Sequence, residues 1–130
     1  ADDGTIYVSN GGDDGQPCRP NDRAFTGGIL RLDGQGGTVQ IAKGFRNPIA
    51  VRCVRGYNRC FAIELAKDFS HMVGGREKLV PIREGDDWGF PCCATKDKAY
   101  NPNASIDCSE VAQDTNSFVI GGTPFDLDYE

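Results

Sequence analysis

Short apolar clusters separated by turn residues recur along the whole chain. β-Branched and aromatic residues gather in short runs, and glycine, asparagine and aspartate fill the positions between them. This pattern predicts short β-strands that are joined in succession as hairpins. The predicted strands are residues 5–9, 28–32, 38–42, 49–54, 60–64, 77–82, 118–120 and 125–129. No segment has the spacing of a long amphipathic helix, so we expect an all-β chain built as a sandwich, a barrel or propeller blades.

The positions of the turns refine this expectation. Residues 33–37 form a glycine-rich turn between the second and third predicted strands, and residues 54–59 carry turn residues between the fourth and fifth. Pro81 lies within the sixth predicted strand, which indicates the edge of a sheet or the end of a strand. The strand predicted at 125–129 ends the chain without a turn or cap, so we expect a fragment or one chain of a larger assembly.

Composition is typical of a single folded domain. The chain has 130 residues, of which 38% are hydrophobic and 17 are glycine, and its formal net charge is −5. Nucleic-acid binding needs a broad basic face, so the negative charge argues against it. No apolar run approaches the roughly 20 residues that span a bilayer, so no membrane span is expected. The chain begins at Ala1 without a visible signal peptide, so we expect a removed leader or a longer protein.

Six cysteines indicate disulfides, and therefore a secreted or periplasmic protein. None of them has the Cys-x-x-Cys spacing of a structural zinc site. Cys53 and Cys60 flank a predicted turn, so they should face each other across a hairpin. The chain-entropy estimate gives about 2.5 kcal/mol for a bridge of that loop length.

The other cysteines leave one choice open. Cys92 and Cys93 are adjacent and are not expected to bond to each other. One of them should pair with Cys108 and the other with Cys18, and the sequence does not decide which. Residues 103–105, Asn-Ala-Ser, match the N-glycosylation sequence. The match agrees with secretion, although chance explains it as well.

The segment 43–48, Lys-Gly-Phe-Arg-Asn-Pro, contains the main candidate for a binding site. No acidic residue occurs between Asp33 and Glu64, whereas five basic residues do: Lys43, Arg46, Arg52, Arg55 and Arg59. The planar guanidinium of arginine suits carboxylates, so Arg46 with Asn47 is the candidate pair for binding an anion. The alternative is a structural turn in which Asn47 caps backbone groups and Arg46 pairs with a carboxylate. The remaining arginines are expected to be solvated on a hairpin.

Two motifs resemble the glucose/sorbosone dehydrogenase family. Residues 44–48, Gly-Phe-Arg-Asn-Pro, resemble its glycine, apolar, Arg-Asn-Pro signature, and residues 87–91, Asp-Trp-Gly-Phe-Pro, resemble its glycine-aromatic turn. Looser matches to the strands of the family are residues 61–64, 74–79 and 123–128. The resemblance covers roughly residues 5–130.

The resemblance implies a fold and a division of the chain. Members of the family are six-bladed β-propellers, and at about 40–50 residues per blade this chain supplies two to three blades. Residues 1–43 would be one blade portion, residues 44–91 the next blade, and residues 92–130 a loop and the start of the following blade. The implied partner is the remainder of the propeller, on the same chain or on another.

The resemblance also implies a cofactor site. Many members use pyrroloquinoline quinone with calcium, and the arginine and asparagine of the signature lie at the cofactor and substrate. Carried over, Arg46 is catalytic and cofactor-binding, and Asn47 is cofactor-binding; the arginine would stabilise charge on a quinone oxygen during hydride transfer. The catalytic histidine of the family has no match here. Leu65-Ala66 replaces the His-Gly pair of the loop whose backbone holds calcium in the family, so the metal ligands stay unknown.

Other polar and aromatic residues have a functional and a simpler interpretation. Asp13-Asp14 and Asp86-Asp87 offer hard oxygen ligands for calcium, but turn chemistry explains both pairs. Glu64 either faces the central channel of a propeller or forms a salt bridge. Trp88 and Phe90 are more typical of packing between blades than of a stacking platform.

Two functions follow from these observations. The first is part of a secreted sugar or polyol dehydrogenase that oxidises a sugar substrate through the quinone, in which this chain alone would be inactive. The second is a non-catalytic extracellular propeller that acts as a binding or structural module. A small disulfide-braced domain, complete in itself, is a further alternative.

Overall fold

The computed structural model describes residues 1–13, 18, 24–57, 59–68, 74–113 and 116–118. All regular secondary structure in these ranges is β-strand, which confirms the all-β prediction. The strands are β1 (Ile6–Asn10), β2 (Gly28–Leu32), β3 (Thr38–Lys43), β4 (Asn47–Val54), β5 (Arg59–Leu65), β6 (Glu77–Pro81), β7 (Asp86–Asp87), β8 (Cys93–Thr95), β9 (Lys98–Ala99) and β10 (Asn116–Phe118).

The first sheet has four strands in the order β1-β2-β3-β7. β1, β2 and β3 form an antiparallel meander, as predicted, and β7 pairs with β3 in parallel. Asp33 closes the turn between β2 and β3, because its Oδ1 accepts hydrogen bonds from the amides of Gln35 (2.9 Å) and Gly37 (2.7 Å). Aspartate often stabilises turns by binding the backbone of the residues that follow it.

Strand β7 differs from the expectation of a turn at residues 86–87. In the structure, Ala42 of β3 lies opposite Asp86, and Lys43 lies opposite Asp87. The amide of Trp88 then donates a hydrogen bond to the carbonyl of Lys43 (2.9 Å). The partner strand is distant in sequence, so no local pattern indicates this pairing.

The second sheet has four antiparallel strands in the order β10-β6-β5-β4. β4 and β5 form the predicted hairpin, and its register places Cys53 opposite Cys60. Pro81 is the last residue of β6, which confirms the predicted strand end. β6 is not an edge strand, because it lies between β5 and β10. A proline at the end of the strand leaves the interior of the hydrogen-bond ladder intact.

The segment 94–117, in which the sequence predicts no strand, contains further short strands. β8 and β9 pair as a two-stranded sheet, and β10 joins the second sheet. Asp97 lies between β8 and β9 with a φ of 64°. Aspartate is one of the few residues that adopt this left-handed conformation readily, so it permits a tight connection.

The hydrophobic core contains side chains from both four-stranded sheets. Its largest members are Trp88 and Phe45, both fully buried, with ring centroids 6.0 Å apart. The other buried members come from β2, β3, β5 and β6 and are Ile29, Ile41, Ala42, Ala62 and Val80. The burial of Trp88 confirms its predicted role in packing. Within the described ranges, no sheet closes on itself.

Three disulfides cross-link the chain: Cys53–Cys60, Cys18–Cys92 and Cys93–Cys108. The first confirms the bridge predicted across the β4–β5 hairpin. The adjacent pair of cysteines divides between Cys18 and Cys108 as expected, and the structure resolves which partner each takes. Three disulfides are consistent with an extracellular protein. No helix among the described residues is long and apolar enough to cross a membrane.

Some predicted features lie outside the described residues. They are Asp14, residues 119–120 of the strand predicted at 118–120, the final strand at 125–129 and the family match at 123–128.

Candidate functional site at the start of β4

The connection between β3 and β4, residues 43–46, is here called the strap. On one side it is bonded to the segment that follows β7. The amide of Trp88 donates to the carbonyl of Lys43 (2.9 Å), and the amide of Phe90 donates to the carbonyl of Gly44 (2.9 Å). Gly44 has a φ of 77°, and a Cβ there would overlap the backbone nitrogen of Trp88. Only glycine combines this conformation with so close an approach.

On its other side the strap is bonded to loops of the first sheet. The amide of Phe45 donates to the carbonyl of Gly27 (3.0 Å), and the amide of Gly12 donates to the carbonyl of Arg46. The side chain of Phe45 is fully buried in the core. These contacts fix the backbone that carries Arg46 into β4, so the position of this residue is set by the fold itself.

Four charged residues meet where β4 and β6 begin and β5 ends. They are Arg46, Glu64, Glu77 and Lys78, and are here called the charge cluster. Glu64, Glu77 and Lys78 expose 1%, 4% and 3% of their surface, respectively. Charges buried to this extent are costly unless they are paired and hydrogen-bonded.

Glu64 is the centre of the charge cluster. Its Oε1 accepts a hydrogen bond from the amide of Arg46 (2.8 Å), and its Oε2 lies 3.3 Å from Nζ of Lys78. The ammonium group lies outside the hydrogen-bond direction of Oε2, so this contact is an ion pair alone. Of the two interpretations of Glu64 from the sequence, the structure shows the salt bridge.

Ala66 connects the remaining members of the charge cluster. Its amide donates to Oε2 of Glu77 (2.9 Å), and its carbonyl accepts from Nη1 of Arg46 (3.4 Å). Both backbone polar groups of Ala66 are therefore used within the chain. Two positive and two negative side chains share this end of the second sheet, so their formal charges balance.

Calcium fits poorly at the position that the family resemblance implies. That position is the backbone after Glu64, where the carbonyl of Ala66 already accepts the guanidinium of Arg46. A calcium ion needs several oxygen ligands that face it, and a guanidinium beside it would repel it. Within the described part of the chain, no group of three or more histidine, cysteine, aspartate or glutamate side chains could hold a metal ion.

Arg46 and Asn47 lie side by side at the junction of the two sheets, and each is half-buried. Asn47 is the first residue of β4 and lies opposite Leu65 in β5. Gly11, from the first sheet, lies beside the side-chain oxygen of Asn47. The two residues named by the sequence are therefore together and accessible in part, and their roles as ligand contacts stay predictions.

The window of five basic residues does not form one positive surface. Lys43 pairs with Asp87 across 3.4 Å at the surface. The hairpin arginines Arg52, Arg55 and Arg59 are exposed, as expected. At about 3.3 Å per strand residue, the hairpin tip is on the order of 25 Å from the start of β4. Arg46 is therefore distant from the three hairpin arginines, which carry most of the positive charge of this window.

A pocket of about 390 Å³ lies beside the strap and is lined by Gly44 and Phe45 but not by Arg46 or Asn47. Its ionisable side chains are those of Lys43, Asp87, Asp107 and Glu110. The backbone amide of Ser109, which donates to the carboxylate of Asp107 (2.9 Å), lowers the pKa of Asp107. Among the described lining residues, three acidic side chains and one basic favour a cationic or neutral ligand over a carboxylate.

Two polar atoms near β7 are buried without a hydrogen-bond partner in the described residues, Oδ2 of Asp86 and Nε1 of Trp88. Burial raises the pKa of Asp86, and the charge of Arg83 opposes this in part. Because the sequence predicts a turn at 86–87, it gives no expectation that these two polar atoms are buried. The signal available in the sequence is the two-residue spacing of Asp86 and Trp88, because residues two apart in a strand share one face.

Comparisons of the chain with protein families, curated proteins and solved structures found no match. The function proposed below therefore rests on the contacts of the charge cluster and on the two sequence motifs.

Proposed function

We propose that this chain is part of an extracellular six-bladed β-propeller that acts as a non-catalytic binding or structural module. Two features support the fold. Each of the two large sheets has four strands, which is the size of a propeller blade. β4, β5 and β6 of the second sheet form a meander, and side chains of both sheets share one core around Trp88.

The internal pairing of the charge cluster carries the non-catalytic part of this proposal. Glu64 holds the backbone of Arg46 and pairs with Lys78, while Ala66 binds Glu77 and the guanidinium of Arg46. The carbonyl of Ala66 already accepts from Nη1 of Arg46, so a cofactor carboxylate would compete for the other guanidinium donors, and calcium would need the same carbonyl. In this proposal Arg46 is a structural residue that ties the start of β4 to Glu64 and Ala66 at the end of β5, and Glu64 in turn pairs with Lys78 of β6.

A sugar or polyol dehydrogenase is the second candidate, and the position of Arg46 and Asn47 favours it. Both side chains are half-exposed neighbours, so a ligand at the sheet junction could reach them. In this candidate, bound pyrroloquinoline quinone would accept hydride from the sugar. Arg46 would stabilise negative charge on the ligand, Asn47 would orient it by hydrogen bonds, and the base would come from the remainder of the propeller.

One experiment separates the two candidates. The native protein that contains this chain is incubated with pyrroloquinoline quinone and calcium, then freed of unbound cofactor by gel filtration. We expect no retained quinone absorbance and no dye reduction when sugars are added. A quinoprotein sugar dehydrogenase treated in parallel verifies that the cofactor and dye are active.

Retained quinone that is lost in Arg46→Ala would overturn the non-catalytic proposal in favour of the dehydrogenase. The fold is tested separately by electron microscopy of the native protein. A ring of six blades is the expected image, and a particle formed by two sheets alone would refute the propeller.

A further inference from the structure

We propose that Asn103 is an acceptor for N-linked glycosylation. Residues 103–105 contain the single Asn-x-Ser/Thr sequence of the chain, and the residue between is alanine rather than proline, as the reaction requires. The sequence match alone is weak evidence, since chance produces such matches. The structure adds the conformation of the turn, the exposure of Asn103 and Ser105, and the disulfides that indicate the cell compartment.

Asn103 lies at the exposed corner of a turn between β9 and Cys108. The turn is closed by Asn101, whose carbonyl accepts from the amide of Ala104 (3.1 Å) and whose Oδ1 accepts from the amide of Asn103 (3.0 Å). Asn103 and Ser105 are both exposed. The turn is therefore held by Asn101 and the backbone, and it does not depend on the side chain that would carry the glycan.

The reacting groups are available. Within the described residues, the carboxamide of Asn103 and the hydroxyl of Ser105 make no hydrogen bond. The co-substrate is an oligosaccharide linked to a lipid pyrophosphate. A bond forms between Nδ2 of Asn103 and the anomeric carbon of the first sugar, while the bond from that carbon to the pyrophosphate oxygen breaks. The amide loses one proton, and the lipid pyrophosphate leaves.

The disulfides provide independent support from the cell compartment. Cys93–Cys108 closes the loop that contains the acceptor sequence, and the cysteines of the other two bridges are outside residues 93–108. Disulfides of this kind form in the oxidising secretory compartment, which is also where the oligosaccharide transfer occurs. A large hydrated glycan at an exposed turn displaces no buried contact.

The test uses the native protein secreted from eukaryotic cells, with and without an amidase that removes N-linked glycans. We expect the untreated protein to be heavier by one glycan. Asn103→Gln and Ser105→Ala should both lack this mass, whereas Ser105→Thr keeps a valid acceptor sequence and should retain it. Because Ser105→Thr differs from Ser105→Ala only in the hydroxyl, the pair separates acceptor chemistry from folding.

Peptide mass spectrometry locates the site. Removal of the glycan in heavy-oxygen water converts the modified asparagine to labelled aspartate, so the label should occur at position 103. An unmodified wild-type protein from cells that glycosylate a second secreted protein would overturn the proposal. A mass shift that persists in Asn103→Gln would overturn it as well. Neither outcome bears on the propeller or on the charge cluster.

Discussion

Replacing Lys78 with methionine should destabilise the protein much more than removing an exposed positive charge. Lys78 is 3% exposed, and its Nζ lies 3.3 Å from Oε2 of Glu64, which is itself 1% exposed. Methionine keeps most of the apolar stem but removes the charge. Among the described residues, the carboxylate of Glu64 would then keep one hydrogen-bond partner, the amide of Arg46.

The magnitude follows from the burial of the pair. Removing one partner of a buried ion pair costs about 3–5 kcal/mol, because the other charge is left uncompensated. The contact lacks hydrogen-bond geometry, so we expect about 3 kcal/mol, the lower end of that range. The matched control is Arg31→Met. Arg31 lies 3.6 Å from Glu84 with side chains 39% and 70% exposed, and exposed pairs contribute about 0–1 kcal/mol.

The assay is urea unfolding of the native protein at neutral pH, followed by tryptophan fluorescence, to which Trp88, the one tryptophan of these 130 residues, contributes. The free energy of unfolding is compared among the wild type, Lys78→Met, Glu64→Gln, the double variant that combines these two changes, and Arg31→Met. Glutamine keeps an acceptor for the Arg46 amide, so the double variant should cost less than the sum of its single changes, by about 1–3 kcal/mol. If Lys78→Met costs no more than Arg31→Met, the charge cluster does not have the role assigned to it.

Three further predictions concern the bridges, the strap and β7. Replacing Cys53 and Cys60 together with serine should lower the free energy of unfolding by about 2.5 kcal/mol. Thermal unfolding of the wild type and the variant is measured with and without reductant, and equal unfolding of the two proteins without reductant would contradict the prediction. Gly44→Ala should destabilise the protein strongly in the same urea assay. Gly34 has a similar φ of 74°, but a Cβ there would meet no neighbouring atom, so Gly34→Ala should cost only about 1–2 kcal/mol. Equal losses in the two variants would refute the close approach at the strap. Burial raises the pKa of Asp86, so the wild type loses stability as the pH rises through that pKa and the carboxylate becomes charged. Asp86→Asn should therefore be more stable relative to the wild type at pH 7 than at about pH 3, which is below the usual aspartate pKa. A difference in unfolding free energy that does not change with pH would be evidence against this.

The strands and the hairpin disulfide were predictable because they depend on local patterns. Apolar runs between turn residues located most of the strands, and the spacing of Cys53 and Cys60 fixed one register. The partners of Cys92 and Cys93 were predictable only as a pair, because adjacent residues have nearly the same sequence distance to any third cysteine. Only the three-dimensional structure shows that Cys92 pairs with Cys18 and Cys93 with Cys108.

The charge cluster was not predictable as a unit. Charged residues are usually exposed, so Glu77 and Lys78 at a strand start gave no sign of burial. In the fold, Lys78 pairs with Glu64 of β5, and Glu77 accepts from the amide of Ala66 just after β5. Similarly, β7 forms because Asp86 meets β3 from a distant part of the chain. Both features depend on contacts between segments far apart in sequence.

The strap removes the hinge that a short linker between two sheets would otherwise provide. Its backbone is tied to Gly12 and Gly27 on the first sheet, and through the amide of Arg46 to Glu64 on the second. Rotation of one sheet against the other would break all of these ties together and expose the ring of Phe45. A force applied to either sheet would therefore be transmitted through the strap to the other.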